Sequence, residues 1–167
     1  MTLTRLTNYL DENGIKYIVI HHSPAFTARE VAVTAHIPRN EVAKTVIVKV
    51  DGKTMMAVLP ASEMVDFAML RTALGANAVV LATEREFNTL FADCEIGAMP
   101  PFGNLFGIDV VVADSLRNNQ EIAFNGGNHR ELLKMSYADF EKLVKPLVRK
   151  FTMERRVRCD LFERGIS

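Results

Sequence analysis

Apolar residues return every third or fourth position at the start of the chain, at Leu3, Leu6, Tyr9 and Leu10, and the run stops at Asn13-Gly14. That spacing predicts a short amphipathic helix closed by glycine. Residues 15–20 are β-branched and aromatic and predict a strand, which Ser23-Pro24 interrupts. Thr27, with Glu30 three positions on, has the form of a capping box; it opens a helix that carries Val31, Ala32 and Ala35 and ends before Pro38. Residues 44–50 and 53–59 flank Asp51-Gly52, a two-residue turn signal, and predict a β-hairpin whose apolar arms make it central.

Further along, residues 62–74 predict a helix closed by Gly75, and residues 78–81 a short strand. Thr83 with Glu86 repeats the capping pattern at the start of another helix. Residues 108–112, 121–124 and 131–135 predict strands, and Asn125-Gly126-Gly127-Asn128 is a turn. Ser136 caps a last helix, with Asp139 in its first turn and Phe140, Leu143, Val144 and Leu147 on one face; Pro146 kinks or shortens it near its end. The expected class is therefore α+β. It is a compact single domain over residues 1–147, with a mixed, mostly antiparallel sheet or partial barrel surrounded by helices. No Gly-x-Gly-x-x-Gly follows a first strand and no lysine sits in a glycine loop, which argues against dinucleotide and P-loop folds.

Residues 148–167 form a basic tail, in which Arg149, Lys150, Arg155, Arg156, Arg158 and Arg164 stand against Glu154, Asp160 and Glu163. It reads either as a solvated terminus or as an RNA-facing extension. Over the whole chain 20 basic residues balance 20 acidic ones, so no global field gathers nucleic acid, and any RNA contact is local. DNA is not an expected partner. At 167 residues, 49% of them apolar, the chain can bury a full core without staples. Cys94 and Cys159 make neither a metal spacing nor a disulfide framework, which fits a reducing compartment. The start lacks a signal-peptide apolar core, and no apolar run nears the roughly 20 residues that span a bilayer. The expected location is the cytoplasm, with no membrane partner.

Two features carry candidate chemistry. One is the loop Gly97-Ala98-Met99-Pro100-Pro101-Phe102-Gly103, whose prolines restrict the backbone and whose glycines let main chain approach a ligand. The other is Lys44, a compact cation opening the run Thr45-Val46-Ile47-Val48 and suited to phosphate or carboxylate. Backbone N–H groups beside a cation suit a reaction that develops negative charge on oxygen. His21 and His22 are adjacent on a strand and so face opposite sides, and no metal site is expected. Cys94 has no histidine paired with it by any motif and reads as an inert thiol.

Ser23-Pro24-Ala25, Glu41-Val42-Ala43-Lys44-Thr45, the 97–103 loop and Phe124-Asn125-Gly126-Gly127 together make an ordered set. Through them the chain resembles, over residues 3–147, the aminoacyl-tRNA deacylases related to YbaK and to the editing insertion domain of prolyl-tRNA synthetase. The resemblance implies a compact mixed sheet wrapped by helices and a trans-editing enzyme that hydrolyses the ester of a mischarged tRNA without metal or organic cofactor. Its partners are the acceptor end of an aminoacyl-tRNA and, as a candidate, an aminoacyl-tRNA synthetase. The family's essential lysine falls on Lys44, its Gly-x-x-x-Pro loop on Gly97, Ala98, Met99, Pro100 and Pro101, and its Gly-Gly turn on Gly126 and Gly127.

The implied roles follow. Lys44 grips the phosphate of the terminal adenosine. Gly97, Ala98, Met99 and Pro100 form the oxyanion or water-orienting element, and Pro101, Phe102, Gly103, Gly126, Gly127 and His129 line the pocket. Ile20 and Asn125 stand where the cysteine-specific branch has tyrosine and serine, which speaks against cysteinyl-tRNA. His129 is similar to the histidine of the alanine-editing branch, so alanyl-tRNA(Pro) is the first substrate to try, then seryl and cysteinyl forms. His129 itself has three readings: it orients water, it reads a small amino-acid side chain, or it is an exposed loop residue. Two other classes stay open, a non-catalytic module that binds tRNA or a synthetase through the same pocket, and a pocket for a free amino acid or nucleotide.

Overall fold

A computed structural model describes residues 2–25 and 27–154. Helix α1 (Thr2–Glu12) leads to strand β1 (Tyr17–His21), and α2 (Ala28–Thr34) begins where the Thr27 hydroxyl accepts the Glu30 N–H at 3.0 Å. Strands β2 (Ala43–Val50) and β3 (Lys53–Pro60) form the hairpin expected around Asp51-Gly52. Both turn residues take positive φ, as a primed two-residue turn requires. There follow β4 (Glu63–Val65), α3 (Phe67–Leu74), β5 (Val79–Leu81) and α4 (Glu84–Phe87), the last opened by a complete Thr83/Glu86 capping box. The chain continues through β6 (Asp109–Ala113), β7 (Glu121–Asn125), β8 (Glu131–Ser136), α5 (Tyr137–Val144), β9 (Leu147–Arg149) and β10 (Thr152–Glu154).

The hairpin lies inside a five-stranded sheet ordered β5-β2-β3-β6-β9, in which β6 runs parallel to both β3 and β9 and the other pairs are antiparallel. An antiparallel sheet ordered β1-β8-β7 stands beside it, and β4 pairs with β10. A single parallel bridge between Val42 and Ala123 joins the two larger sheets at the start of β2. The architecture is the expected mixed, mostly antiparallel one, left open rather than closed into a barrel.

Alternation along β2 divides the core. Ala43 and Ile47, with Met56 and Val58 of β3, face Leu6 and Leu10 of α1 and the rings of Phe102, Phe124 and Phe140. Val48, Met55, Ala57 and Leu59 face the other way, toward Leu70 of α3 and Phe151. A third, smaller cluster of Ala25, Val31, Ala32, Val42, Ala61 and Leu132 fills the angle between the sheets under α2.

Two local expectations are corrected. The helix expected from Ser62 starts at Phe67, because residues 63–65 are drawn into a ladder with Thr152–Glu154, and Asp66 is the cap that accepts the Met69 N–H at 3.0 Å. Leu147 does not share the apolar face of the last helix. Lys145, with φ 52°, ends α5 before Pro146, and Leu147 opens β9. The first part of the basic tail is folded too: Val148 pairs with Val112 in β6, and Phe151 is fully buried. Arg155, Arg156, Arg158 and Arg164 lie outside the described residues. Among the described residues no helix is long and apolar enough to cross a membrane.

Candidate active site

Gly97 takes φ +82°, and Ala98 N–H donates to Glu95 O at 3.0 Å, so Glu95-Ile96-Gly97-Ala98 is a type II turn with glycine at the position that needs a left-handed backbone. Two further segments close on this turn around His129, which is only 5% exposed. The ring Nε2 lies 2.6 Å from Ile96 O and Nδ1 lies 3.1 Å from Ala25 O. The His129 backbone N–H donates to Glu95 Oε1 at 2.7 Å, and its carbonyl accepts the Ala25 N–H at 3.1 Å. Glu95 N–H in turn donates to Gly127 O at 2.8 Å. The Ser23-Pro24-Ala25 stretch, the Gly97 turn and the Gly126-Gly127 turn are thus one hydrogen-bonded unit.

The peptide between Ile96 and Gly97 is planar and trans, so its N–H points away from the carbonyl that His129 holds. Among the described residues that N–H makes no hydrogen bond, and Gly97 is exposed. A cavity of about 390 Å³ lies against other parts of the unit, lined by Leu3, Glu95, Gly126, Gly127, Asn128 and Arg130 among others. Asn128 shapes the far turn: its Oδ1 accepts the N–H groups of Arg130 and Glu131 at 2.8 and 2.9 Å.

Lys44 is half-buried at the start of β2, opposite Leu59. It shares a strand face with Val42, whose side chain packs in the cluster that contains Ala25. The Val42–Ala123 bridge sets β2 beside β7, with Lys44 two residues past the bridge on one strand and Asn125 two residues past it on the other. Asn125 is opposite Leu132, and Leu132 is opposite Ile20, so Ile20, Leu132 and Asn125 form a row across the smaller sheet. Asn125 Oδ1 is buried there with no hydrogen-bond partner among the described residues.

The 97–103 loop divides in burial. Gly97 is exposed, whereas Ala98, Met99, Pro100 and Pro101 are buried, Met99 beside Glu95 and Ile96 on the wall of a second cavity. Phe102 is fully enclosed, its ring 5.5 Å from those of Phe124 and Phe140, so it is a core side chain. A Cβ on Gly103 would stand 2.5 Å from Val110 Cγ2, so that glycine serves close packing against β6. Gly126 lines the cavity and is also closely packed: a Cβ there would meet Leu3 Cδ1, itself on the cavity wall, at 2.6 Å. Sequence reasoning missed Glu95 and Ile96. A left-handed Gly97 was the available signal, since it places the turn's first residue at 95 and, at 96, the carbonyl that the turn itself leaves unbonded and His129 meets.

Residues 22–143 match the family model for the aminoacyl-tRNA editing domain. The chain belongs to the aminoacyl-tRNA editing domain family. That span takes in every segment of the site. The chain is also 25% identical, over 143 residues, to the prolyl-tRNA editing protein ProX of Acetoanaerobium sticklandii, covering 81% of this chain and 86% of that one. Solved structures share the editing-domain fold. A hypothetical protein, APE2540, superposes with a TM-score of 0.80 at 21% identity, over 89% of this chain and 99% of its own. A protein described as a candidate trans-editing enzyme for prolyl-tRNA synthetase superposes with a TM-score of 0.77 at 19% identity, over 91% and 97%.

Proposed function

We propose that this editing domain is an aminoacyl-tRNA deacylase acting in trans, with alanyl-tRNA(Pro) or another small-amino-acid ester as substrate. The observation that carries the reading is the Gly97 N–H, presented by a braced turn at an exposed edge and engaged by nothing among the described residues. Water attacks the ester carbonyl carbon, and the displaced π pair becomes an oxyanion. The intermediate then collapses, expelling the ribose oxygen, which takes up the proton that water lost. The products are the free amino acid and a tRNA with a free terminal hydroxyl. A fixed N–H aimed at the oxyanion stabilises it more than the flat ester, and losing one such donor costs about 10²–10³ in rate. Lys44 holds the phosphate of the terminal adenosine and so sets the ester at the turn. Its position on the strand face that packs toward Ala25 supports that role.

The test is deacylation of a panel of mischarged tRNAs, beginning with alanyl-tRNA(Pro), by the wild type and by Lys44→Ala. Hydrolysis that disappears in the variant, with an unchanged circular dichroism spectrum, is the expected result. A fully active Lys44→Ala overturns the role of the lysine. A wild type that hydrolyses no member of the panel overturns the enzyme reading in favour of a binding module.

A further inference from the structure

We propose that His129 is a positioning residue: by holding the Ile96 carbonyl it aims the Gly97 N–H at the reacting ester. The inference rests on the proposed deacylase reading and assigns His129 a place in it other than contact with the amino acid. Both ring nitrogens face protein carbonyls, Ile96 O at 2.6 Å and Ala25 O at 3.1 Å, so the polar atoms of the ring are directed into the protein. A type II turn and a type I turn differ by roughly a half-turn of the central peptide. That rotation exchanges the directions of the Ile96 carbonyl and the Gly97 N–H. Glycine populates either form, so Gly97 by itself does not choose which group is presented at the exposed edge. The choice is made by the donor that captures the carbonyl, and that donor is His129 Nε2.

The surroundings of the ring make the capture firm. A neutral imidazole carrying its proton on Nε2 donates to Ile96 O, and the doubly protonated ring donates to both carbonyls. At 5% exposure the ring has almost no water to replace a lost acceptor, so rotating the peptide away leaves a buried donor unpaired. Glu95 fixes the backbone of His129 through its carboxylate and is also the first residue of the turn, so brace and turn move as one piece. The ring edge lies against the turn itself, with Cε1 3.7 Å from where a Cβ on Gly97 would stand.

The ring's two contacts can be separated by substitution, because a glutamine amide nitrogen reaches about where Nε2 lies and an asparagine amide about where Nδ1 lies. His129→Gln keeps a donor for Ile96 O, whereas His129→Asn keeps one for Ala25 O only. Steady-state deacylation of the panel's best substrate should show His129→Ala and His129→Asn losing up to about 10²–10³ in kcat with KM near wild type, and His129→Gln restoring most of it. Equal losses in the Gln and Asn variants, or a changed amino-acid preference with kcat intact, overturn the proposal. A second readout does not need turnover: the amide nitrogen and proton shifts of Gly97 should move in the Ala and Asn variants and return toward wild type in the Gln variant. A Gly97 amide indifferent to all three variants overturns the brace even where wild-type protein hydrolyses nothing, which would sink the deacylase reading separately. Should His129→Ala not fold, the Gln and Asn pair decides alone.

Discussion

Gly126→Ala tests how much of the need for glycine on this cavity wall comes from close packing against α1. The backbone of Gly126 is not among those with positive φ, so an alanine there meets no conformational penalty. What it meets is α1: the new Cβ stands 2.6 Å from Leu3 Cδ1 and 3.0 Å from Leu133 Cδ1, where carbon atoms in good contact lie about 3.5–4.0 Å apart. One or both leucines must move by about 1 Å. Leu133 is fully buried and hemmed in by the aromatic core, whereas Leu3 is half-buried near the end of a helix, so Leu3 yields. Overpacking of this kind costs about 1–3 kcal/mol. For a domain of this size each kcal/mol shifts the melting temperature by about 2–4 °C, so the expected fall is about 2–12 °C. Leu3→Ala makes room, and the double variant should be less destabilised than the sum of the singles by about 0.5–3 kcal/mol. Thermal and urea unfolding give these numbers, and deacylation at a temperature where all variants are folded should show unchanged KM. An unchanged melting temperature with a raised KM would refute the packing account and would make space for substrate the reason for glycine at this position.

Thr45→Val should stabilise the protein by about 1 kcal/mol in urea unfolding, because Thr45 Oγ1 is buried without a partner among the described residues and valine has the same shape on a strand; a loss of stability would mean the hydroxyl is satisfied after all. Burial, and then the Glu141 carboxylate 3.3 Å from its hydroxyl, hold the Tyr137 phenol above the usual tyrosine range. The folded state thus keeps a proton that the unfolded chain releases near about pH 10, so this contribution is whole below that pH and is lost as pH rises beyond it. Tyr137→Phe should flatten the fall in stability between neutral and strongly alkaline pH, and an unaltered slope would show that Tyr137 does not drive it.

Elements that announce themselves locally were legible. Asp51-Gly52 specifies a primed turn whatever surrounds it, and the hairpin followed. Thr27, Thr83 and Ser136 cap the helices they were expected to cap, because a side-chain oxygen three residues before a free N–H needs no distant partner. Ser62 and Asp66 show where this logic stops. Both can cap, and the choice between them is made by Thr152–Glu154, nearly 90 residues on, which takes residues 63–65 as a strand. Period alone places Leu147 on the face of the last helix. The left-handed Lys145 and a parallel partner in β6 override that period.

The candidate site divides the same way, and the division has a physical cause. A glycine in a Pro-Gly loop advertises an unusual backbone, and Gly97 has one, but a φ value does not say which way the next peptide faces. That direction depends on a donor at the ring of His129, 33 residues away, and on the contact of that ring with Ala25, 104 residues away. For the same reason the loop could be read only as a unit, although Phe102 and Gly103 belong to the core and Gly97 to the site. Lys44 stood out in the sequence by its resemblance to the family's lysine, whereas its placement depends on one bridge, between Val42 and Ala123, that no local pattern foretells. Local sequence thus prepares the groups of the candidate site, and long-range pairing gives them their direction. A substitution that spares every local signal but removes a long-range partner, as His129→Asn does for Ile96, is therefore the sharpest probe of how this site works.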